Sequence, residues 1–410
     1  MTPPDLLRAL FDRAVAVADP MQSLARSLPQ KPEGRVVVIG AGKASARMAE
    51  AVEAEWGPCE GLVITRYGYA RPCRGIEIVE AAHPVPDAAG VAATRRMLDL
   101  LAGCGEGDFV LALISGGGSA LLCAPASGIT LAEKQALTQG LLASGAPIGE
   151  INGIRKEISA VKGGRLAAAA WPARMLALMI SDVPGDNPGD IASGPTVGHD
   201  GSAARALAAL DRWGVAPPTS IRAFLQAGGD PVLPDDPRLA RVENVICAAP
   251  AQSLAAAADL ARAQGYAVEI LGDALEGEAR EVAAEHAALA LQAKGPRLIL
   301  SGGELTVTKR ADGIGGPNAE YALALALALK GAAGIHAIAC DTDGVDGAAE
   351  VAGAVIGPDT LSRAAAAGLD PTQALARNDA HSFFGMIDAQ VVPGPTLTNV
   401  NDFRAILIEG

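Results

Sequence analysis

Short runs of branched apolar residues recur along the chain, most closing on Gly, Ser or Asp and followed by an alanine-rich stretch of helical period. RVVVIG (35–40), GLVITR (61–66), FVLALIS (109–115), MLALMIS (175–181), NVICAA (244–249), RLILSG (297–302), IHAIAC (335–340) and AILIE (405–409) read as strands. They are almost continuously apolar, as strands covered on both faces are. With helices between them they predict an α/β protein with largely parallel sheets flanked by helices. Ligands of open α/β sheets bind beyond the carboxyl ends of the strands, which is where the Gly, Ser and Asp residues stand here. The 410 residues suggest two or more domains. GGDPVLPDDPRLA (228–240), with three prolines and three aspartates, interrupts the alternation and reads as a linker. The predicted domains are 1–232, Rossmann-like, and 233–410, a second α/β domain.

Half the residues are apolar and 19% are charged, enough for a large core and against disorder. The formal charge of −13 argues against sequence-independent nucleic-acid binding, which needs a basic surface. It leaves room for a small anionic ligand held by a few local donors. The six cysteines contain no CxxC pair, so neither a zinc site nor a disulfide scaffold is expected. The first twenty residues mix Asp and Arg into an amphipathic period and read as a surface helix, not a signal peptide. No apolar run is long enough to span a membrane. A cytoplasmic location is the expectation.

Four N-terminal stretches carry polar chemistry. In VVVIGAGKAS, Gly40 and Gly42 permit a tight turn before a helix whose first N–H groups would attract an anion, and Lys43 adds a positive charge there. Neither a Walker A loop nor a complete dinucleotide fingerprint is present, since Ser45 stands at the third glycine position and the next strand ends in Arg66. In LISGGGSALL, the run Ser115, Gly116, Gly117, Gly118 and Ser119 reads either as a crowded turn or as a nest for phosphate or carboxylate oxygens. In GEINGIRKEISAVKGG, Asn152, Arg155, Lys156, Ser159 and Lys162 recur at helical spacing and suggest an anion-facing wall; the alternative is a solvated basic face. In SDVPGDNPGD, Asp182 and Asp186 are candidate metal ligands, since Mg²⁺ takes one or two carboxylates plus phosphate oxygens, and Asp190 is expected to cap the next element.

The C-terminal part repeats the pattern. Glu304 follows a strand in SGGELT, Asn318 and Glu320 precede a helix in GIGGPNAE, and Asp341, Asp343 and Asp346 follow a strand in DTDGVDG. Thr398, Asn399, Asn401 and Asp402 form a late polar cluster. His83 sits in a proline-fixed turn, ahead of Pro84 and Pro86, and is a candidate substrate contact; His199, His286, His336 and His381 lack metal spacing and read as structural or surface residues. No serine-nucleophile elbow occurs.

Taken together, IGAGKAS, HPVPD, ISGGGSALL, INGIRKEISAVKGGRLA, SDVPGDNPGDIASGPT, SGGELTV, GGPNAE, DTDGVDG and TLTNVND resemble the class II glycerate 2-kinases, which carry a C-terminal MOFRL domain. The resemblance covers nearly the whole chain in order. It implies ATP-dependent phosphorylation of D-glycerate, mostly to 2-phosphoglycerate, with Mg²⁺ or another divalent metal, and an active site in an interdomain cleft. It implies a catalytic Lys43, functional carboxylates Asp182, Asp343 and Glu304, and an active-site Asn399. Many members read G-R-G-G-R-N-Q-E where this chain has GIGGPNAE, so Ile314 and Pro317 replace arginines that would stabilise transferring charge.

Phosphoryl transfer needs mainly positioning and charge neutralisation. The glycine loops would hold phosphates, Lys43 would bridge to the transferring group, and Arg155, Lys156 or Asn399 would fix the glycerate carboxylate. The small-molecule partners are ATP and D-glycerate, with a homodimer as the candidate assembly. Members of the family are often labelled hydroxypyruvate reductases, and NAD(P)H-dependent reduction is the rival reading. Ser45, Lys43 and the lack of a clear acid–base histidine stand against it.

Overall fold

The computed structural model describes residues 1–347 and 349–410, leaving the side chain of Ile148 undescribed. Two compact units result. One comprises residues 23–181 and 186–247; the other joins residues 1–22 and 182–185 to 248–410.

The first unit is built on a six-stranded sheet. Its strands are β1 (Val36–Ala41), β2 (Glu60–Arg66), β3 (Ile76–Ala81), β4 (Phe109–Ile114), β5 (Arg174–Ile180) and β6 (Val242–Ala248), in the order β3-β2-β1-β4-β5-β6. The pairs β2–β3, β1–β2, β1–β4 and β4–β5 are parallel. This is the strand order of doubly wound nucleotide-binding sheets, with its switch point between β1 and β4. Both of those strands are buried along their whole length, as their unbroken apolar runs require. A satellite core under the helices gathers Leu137, Leu141, Ile154, Ile158, Leu210, Ile221 and Leu225.

The second unit holds β7 (Ala267–Gly272), the two-residue strands β8 (Gly277–Glu278) and β10 (Leu305–Thr306), β9 (Arg297–Ser301), β11 (Ile335–Asp341), β12 (Gly353–Ile356), β13 (Gln390–Val391) and β14 (Asp402–Ile408). Its main sheet runs β13-β12-β11-β14-β9-β7. Only β7–β9 is parallel in that sheet; β12–β13, β11–β12, β11–β14 and β14–β9 are antiparallel. The expectation of largely parallel sheets therefore describes the first unit, while the second is mixed. Two-sided burial, which the apolar runs report, does not specify strand direction.

The predicted boundary at 232/233 differs from the observed division. Residues 228–240 stay with the first unit: Val232 is buried and its carbonyl accepts from the His199 N–H at 3.0 Å, and the chain then enters β6. The boundary falls after Cys247. The helix Pro3–Ala18 is closed by a capping box between Thr2 and Asp5. It is no mere surface helix. Leu6, Leu7, Leu10, Phe11 and Ala14 join the second unit's core against Leu254, Ala257, Ala258 and Ala261.

Candidate active site

At the switch point of the first sheet the two glycine loops are locked together. The Lys43 N–H donates to the Gly116 carbonyl at 2.8 Å and the Ala44 N–H to Ser115 Oγ at 3.0 Å. Ser45 Oγ donates to the Leu113 carbonyl at 2.9 Å, so the residue replacing the third fingerprint glycine ties β1 to β4. Gly40 lies inside β1, and a Cβ there would sit 2.5 Å from the Leu113 carbonyl oxygen. Gly42, at φ +149°, would place a Cβ 2.0 Å from Ser115 Oγ. Gly40, Gly42 and the fully buried Ser115 thus let the two loops pack closely against each other.

The Gly118 N–H donates to the Ser115 carbonyl at 3.2 Å, so the glycine run closes as a turn, with Gly116 and Gly118 buried. Gly117, at φ +76°, faces the half-buried Lys43 side chain: a Cβ there would lie 3.1 Å from both Lys43 Cγ and the His83 ring. Gly117, Lys43 and His83 therefore share one surface at the switch point. Ser119 Oγ meets Ser193 Oγ at 2.6 Å. Ala192 and Ser193 both adopt positive φ, at 52° and 64°.

The basic stretch divides in two. The helix Ile148–Glu157 carries Asn152, Arg155 and Lys156, but ends before Ser159 and Lys162, so these five do not share one helical face. Arg155 donates to Asn152 Oδ1 at 3.3 Å and to the Ser119 carbonyl at 3.4 Å, which brings it to the glycine loop. Lys156 pairs with Asp190 at 3.7 Å. Asp190 makes no side-chain cap; it accepts from Asn187 Nδ2 at 2.8 Å instead. Lys162 is buried, its ammonium donating to the Leu122 and Ala192 carbonyls at 3.3 and 3.5 Å. Lys134 was missed by the sequence reading. It is also buried, 3.7 Å from Cys123 Sγ, and burial holds its pKa below the usual lysine range. The signal was available: Lys134 falls on the stripe of Leu137 and Leu141 in the helix Leu131–Ala143, where a polar residue needs a reason.

In the second unit, Asp182 is held by the late polar cluster. Its Oδ2 accepts from Asn399 Nδ2 at 3.0 Å and its carbonyl from Asn401 Nδ2 at 3.1 Å. Asp343 is fully buried, with Oδ1 accepting the Val345 N–H at 2.8 Å across a tight turn, while Glu304 is exposed. Asn318 is buried and spans two carboxylates, donating to Asp402 Oδ1 at 2.7 Å and Asp346 Oδ1 at 3.3 Å. It ties together the loops that carry Asp346 and Asp402. Asp346 also accepts the Asn318 and Ala319 N–H groups and meets His381 Nε2 at 3.1 Å. Asp402, pushed up to about 6 by burial, pairs with Arg404 at 2.9 Å. Arg404 in turn donates to the Gly302 and Gly303 carbonyls of the SGGE loop.

Among the described residues no group of three His, Cys, Asp or Glu side chains converges as a metal cage. Asp186 does present a buried Oδ1 without a hydrogen-bond partner, at φ +53°. A lone carboxylate oxygen of this kind suits a hard cation that takes its other ligands from phosphates and water. No helix among the described residues is long and apolar enough to cross a membrane.

Residues 6–226 match the family described as a domain of unknown function, DUF4147, and residues 297–402 match the MOFRL family. A provisionally named hydroxypyruvate reductase of Agrobacterium vitis is 51% identical, covering 98% of this chain and 94% of that protein. The D-glycerate 2-kinase of Thermotoga maritima is 38% identical over 97% of each chain. A crystal structure of glycerate kinase from Thermotoga maritima superposes with a TM-score of 0.87 at 36% identity, covering 98% of this chain and 99% of that one.

Proposed function

Since the chain belongs to the DUF4147–MOFRL family that includes the glycerate kinase of Thermotoga maritima, we propose that it transfers the γ-phosphoryl group of ATP to the 2-hydroxyl of D-glycerate. The observation that carries this reading is the pair of interlocked loops at the β1/β4 switch point, which presents Lys43 beside Gly117. An ammonium there neutralises charge on the transferring phosphoryl oxygens, the main demand of this chemistry.

Gly117 and Ser119, on the half-buried face of the loop, offer the contact surface for anionic oxygens, and Arg155, tied to Ser119, adds a cation beside it. Asp182 is the candidate acceptor for the proton of the glycerate hydroxyl. Asn399 holds one of its carboxylate oxygens and so fixes the direction of the other. Asp343 holds the turn that follows β11. A divalent cation, when bound with the nucleotide, supplies further charge neutralisation, and Asp186 is the carboxylate that would hold it.

The Agrobacterium vitis relative's name keeps reduction of hydroxypyruvate as the rival. β2 ends in Arg66, whose guanidinium lies 4.7 Å over the Tyr69 ring, where a dinucleotide site would need a carboxylate for the ribose. One experiment separates the two. Purified protein with D-glycerate, Mg²⁺ and ATP is assayed for ADP, in parallel with hydroxypyruvate and NADH or NADPH. Glycerate-dependent ADP release, lost in Lys43→Ala, is expected, with 2-phosphoglycerate identified by NMR. Nicotinamide oxidation without ADP release overturns the kinase reading, and unchanged turnover in Lys43→Ala overturns the role of the lysine.

A further inference from the structure

Three cations lie together in the first unit, with no carboxylate partner among the described residues and the Cys123 thiol as the acidic group beside them. Lys162 is fully enclosed, Lys134 is 3% exposed, and Arg155 has its Nε buried without a hydrogen-bond partner. They clasp one segment. Arg155 donates to the Ser119 carbonyl, Lys162 to the Leu122 carbonyl, and Lys134 meets Cys123 Sγ. Lys162 also reaches the Ala192 carbonyl, next to the Ser193 hydroxyl that pairs with Ser119. Among the described residues no carboxylate forms an ion pair with any of the three; the nearby acid, Asp190, pairs with Lys156. Buried cations are normally paired, because desolvation costs more than hydrogen bonds to carbonyls return.

We propose that Lys134 and Lys162, with Arg155 at their exposed edge, form an anion subsite whose missing counter-charge is a carboxylate or phosphate of the ligand, and that filling it draws a proton into the cluster. The proposal deepens the kinase reading and rests on it for the identity of the anion. Lys162 is faced by Lys134 from the helix Leu131–Ala143, by Arg155 and Lys156 from the helix Ile148–Glu157, and by Cys123. Burial and the like charges of Lys134, Arg155 and Lys156 hold its ammonium well below the usual lysine range, against the opposite pull of Cys123, and burial lowers Lys134 against the same pull. An anion at Arg155 reverses the local field and favours the charged lysines. Binding therefore takes up protons, and affinity falls as pH rises, by up to about tenfold per unit for one linked proton.

Isothermal titration calorimetry of the full chain at pH 8, in Tris and in HEPES, tests this with two probes that do not titrate there: D-glycerate and sulfate. Because the buffers differ in ionisation enthalpy, the difference in heat counts the protons taken up. Net proton uptake is expected, reduced in Lys162→Met or Lys134→Met. Uptake with D-glycerate assigns the subsite to a carboxylate, and uptake with sulfate alone assigns it to a phosphate. Heat that is the same in both buffers for wild-type protein, or no binding of either anion, overturns the proposal even if neither variant folds. Undiminished uptake in both variants overturns it as well. Uptake without glycerate-dependent ADP release would instead sink the kinase reading and leave the subsite standing.

Discussion

Glu320 is fully buried at the start of the helix Pro317–Leu329, and its carboxylate is held from two sides. Arg280 Nε donates to Oε1 at 2.6 Å, and Asn378 Nδ2 to Oε2 at 3.0 Å. Arg280, only 19% exposed, also donates to the Leu375 carbonyl at 2.7 Å. Replacing Arg280 with Met keeps much of its aliphatic volume but strands a carboxylate in the core with one neutral donor. Breaking a buried pair in this way costs about 3–5 kcal/mol, because the remaining charge keeps its desolvation penalty and loses its compensation. If that account is right, removing the orphaned charge repairs most of the damage. The double variant Arg280→Met/Glu320→Gln should recover about 2 kcal/mol or more, since a neutral amide still accepts from Asn378. Urea unfolding followed by circular dichroism measures both. A single variant costing less than about 1 kcal/mol, or a double variant no more stable than the single, would refute the reasoning.

Two further outcomes follow from the same physics. Gly42→Ala forces a Cβ to within 2.0 Å of Ser115 Oγ and 2.6 Å of the Ser115 carbonyl oxygen at a φ of +149°. It should cost the first unit about 2–4 kcal/mol in urea, read by tryptophan fluorescence because Trp56, Trp171 and Trp213 all lie there; a cost below about 0.5 kcal/mol would show that the loops can part. In the second unit, His286 is 5% exposed, bonded to the Tyr321 hydroxyl at 2.8 Å, and pushed down to about 4 by burial and by the Arg404 charge. A depressed imidazole contributes stability that is complete above its ordinary value near 6.5 and is lost as pH falls toward 4. Between pH 7 and pH 5 His286 should therefore take about 2 kcal/mol from that unit, against the opposite contribution of the raised Asp402 carboxyl. The stability difference between wild type and His286→Gln should change by that amount over the interval, and a difference that does not vary with pH would rule out His286.

The strands of the first sheet were legible where both faces are covered. β1, β4 and β5 match the apolar runs to within a residue. β3 was not, because Ile76–Ala81 carries Glu77 and Glu80 on an edge strand and breaks the pattern. β14 was read from Ala405 onward and begins at Asp402, since its first residues include a buried Asp402–Arg404 ion pair that no apolar count registers. The mixed direction of the second sheet was hidden for a related reason. β14 runs antiparallel to both β11 and β9 although all three print apolar runs, because such a run carries no direction, and β12 and β13, of four and two residues, are too short to print a pattern. In the site, residue types were legible and their jobs less so. A glycine that lets two strands approach and a glycine that opens a ligand surface look alike in a sequence, and only the carbonyl oxygen 2.5 Å from a Cβ at Gly40 separates it from Gly117.

The loop that departs from the family pattern shows how the chain accommodates that departure. Ile314 is 55% exposed, yet its backbone is fixed on both sides: its N–H donates to Asp379 Oδ1 at 3.0 Å and its carbonyl accepts from the His381 N–H at 3.0 Å. Pro317 occupies the first turn of the helix Pro317–Leu329, where a missing N–H costs nothing. The Asn318 and Ala319 N–H groups are then captured by Asp346. The loop's shape thus depends on backbone contacts and on Asp346 and Asp379, not on cations at positions 314 and 317. Losing arginines there leaves the fold intact and removes only charge. In the kinase reading, we propose that neutralising the transferring phosphoryl group falls to Lys43 and Arg155, the half-buried cations at the glycine loops.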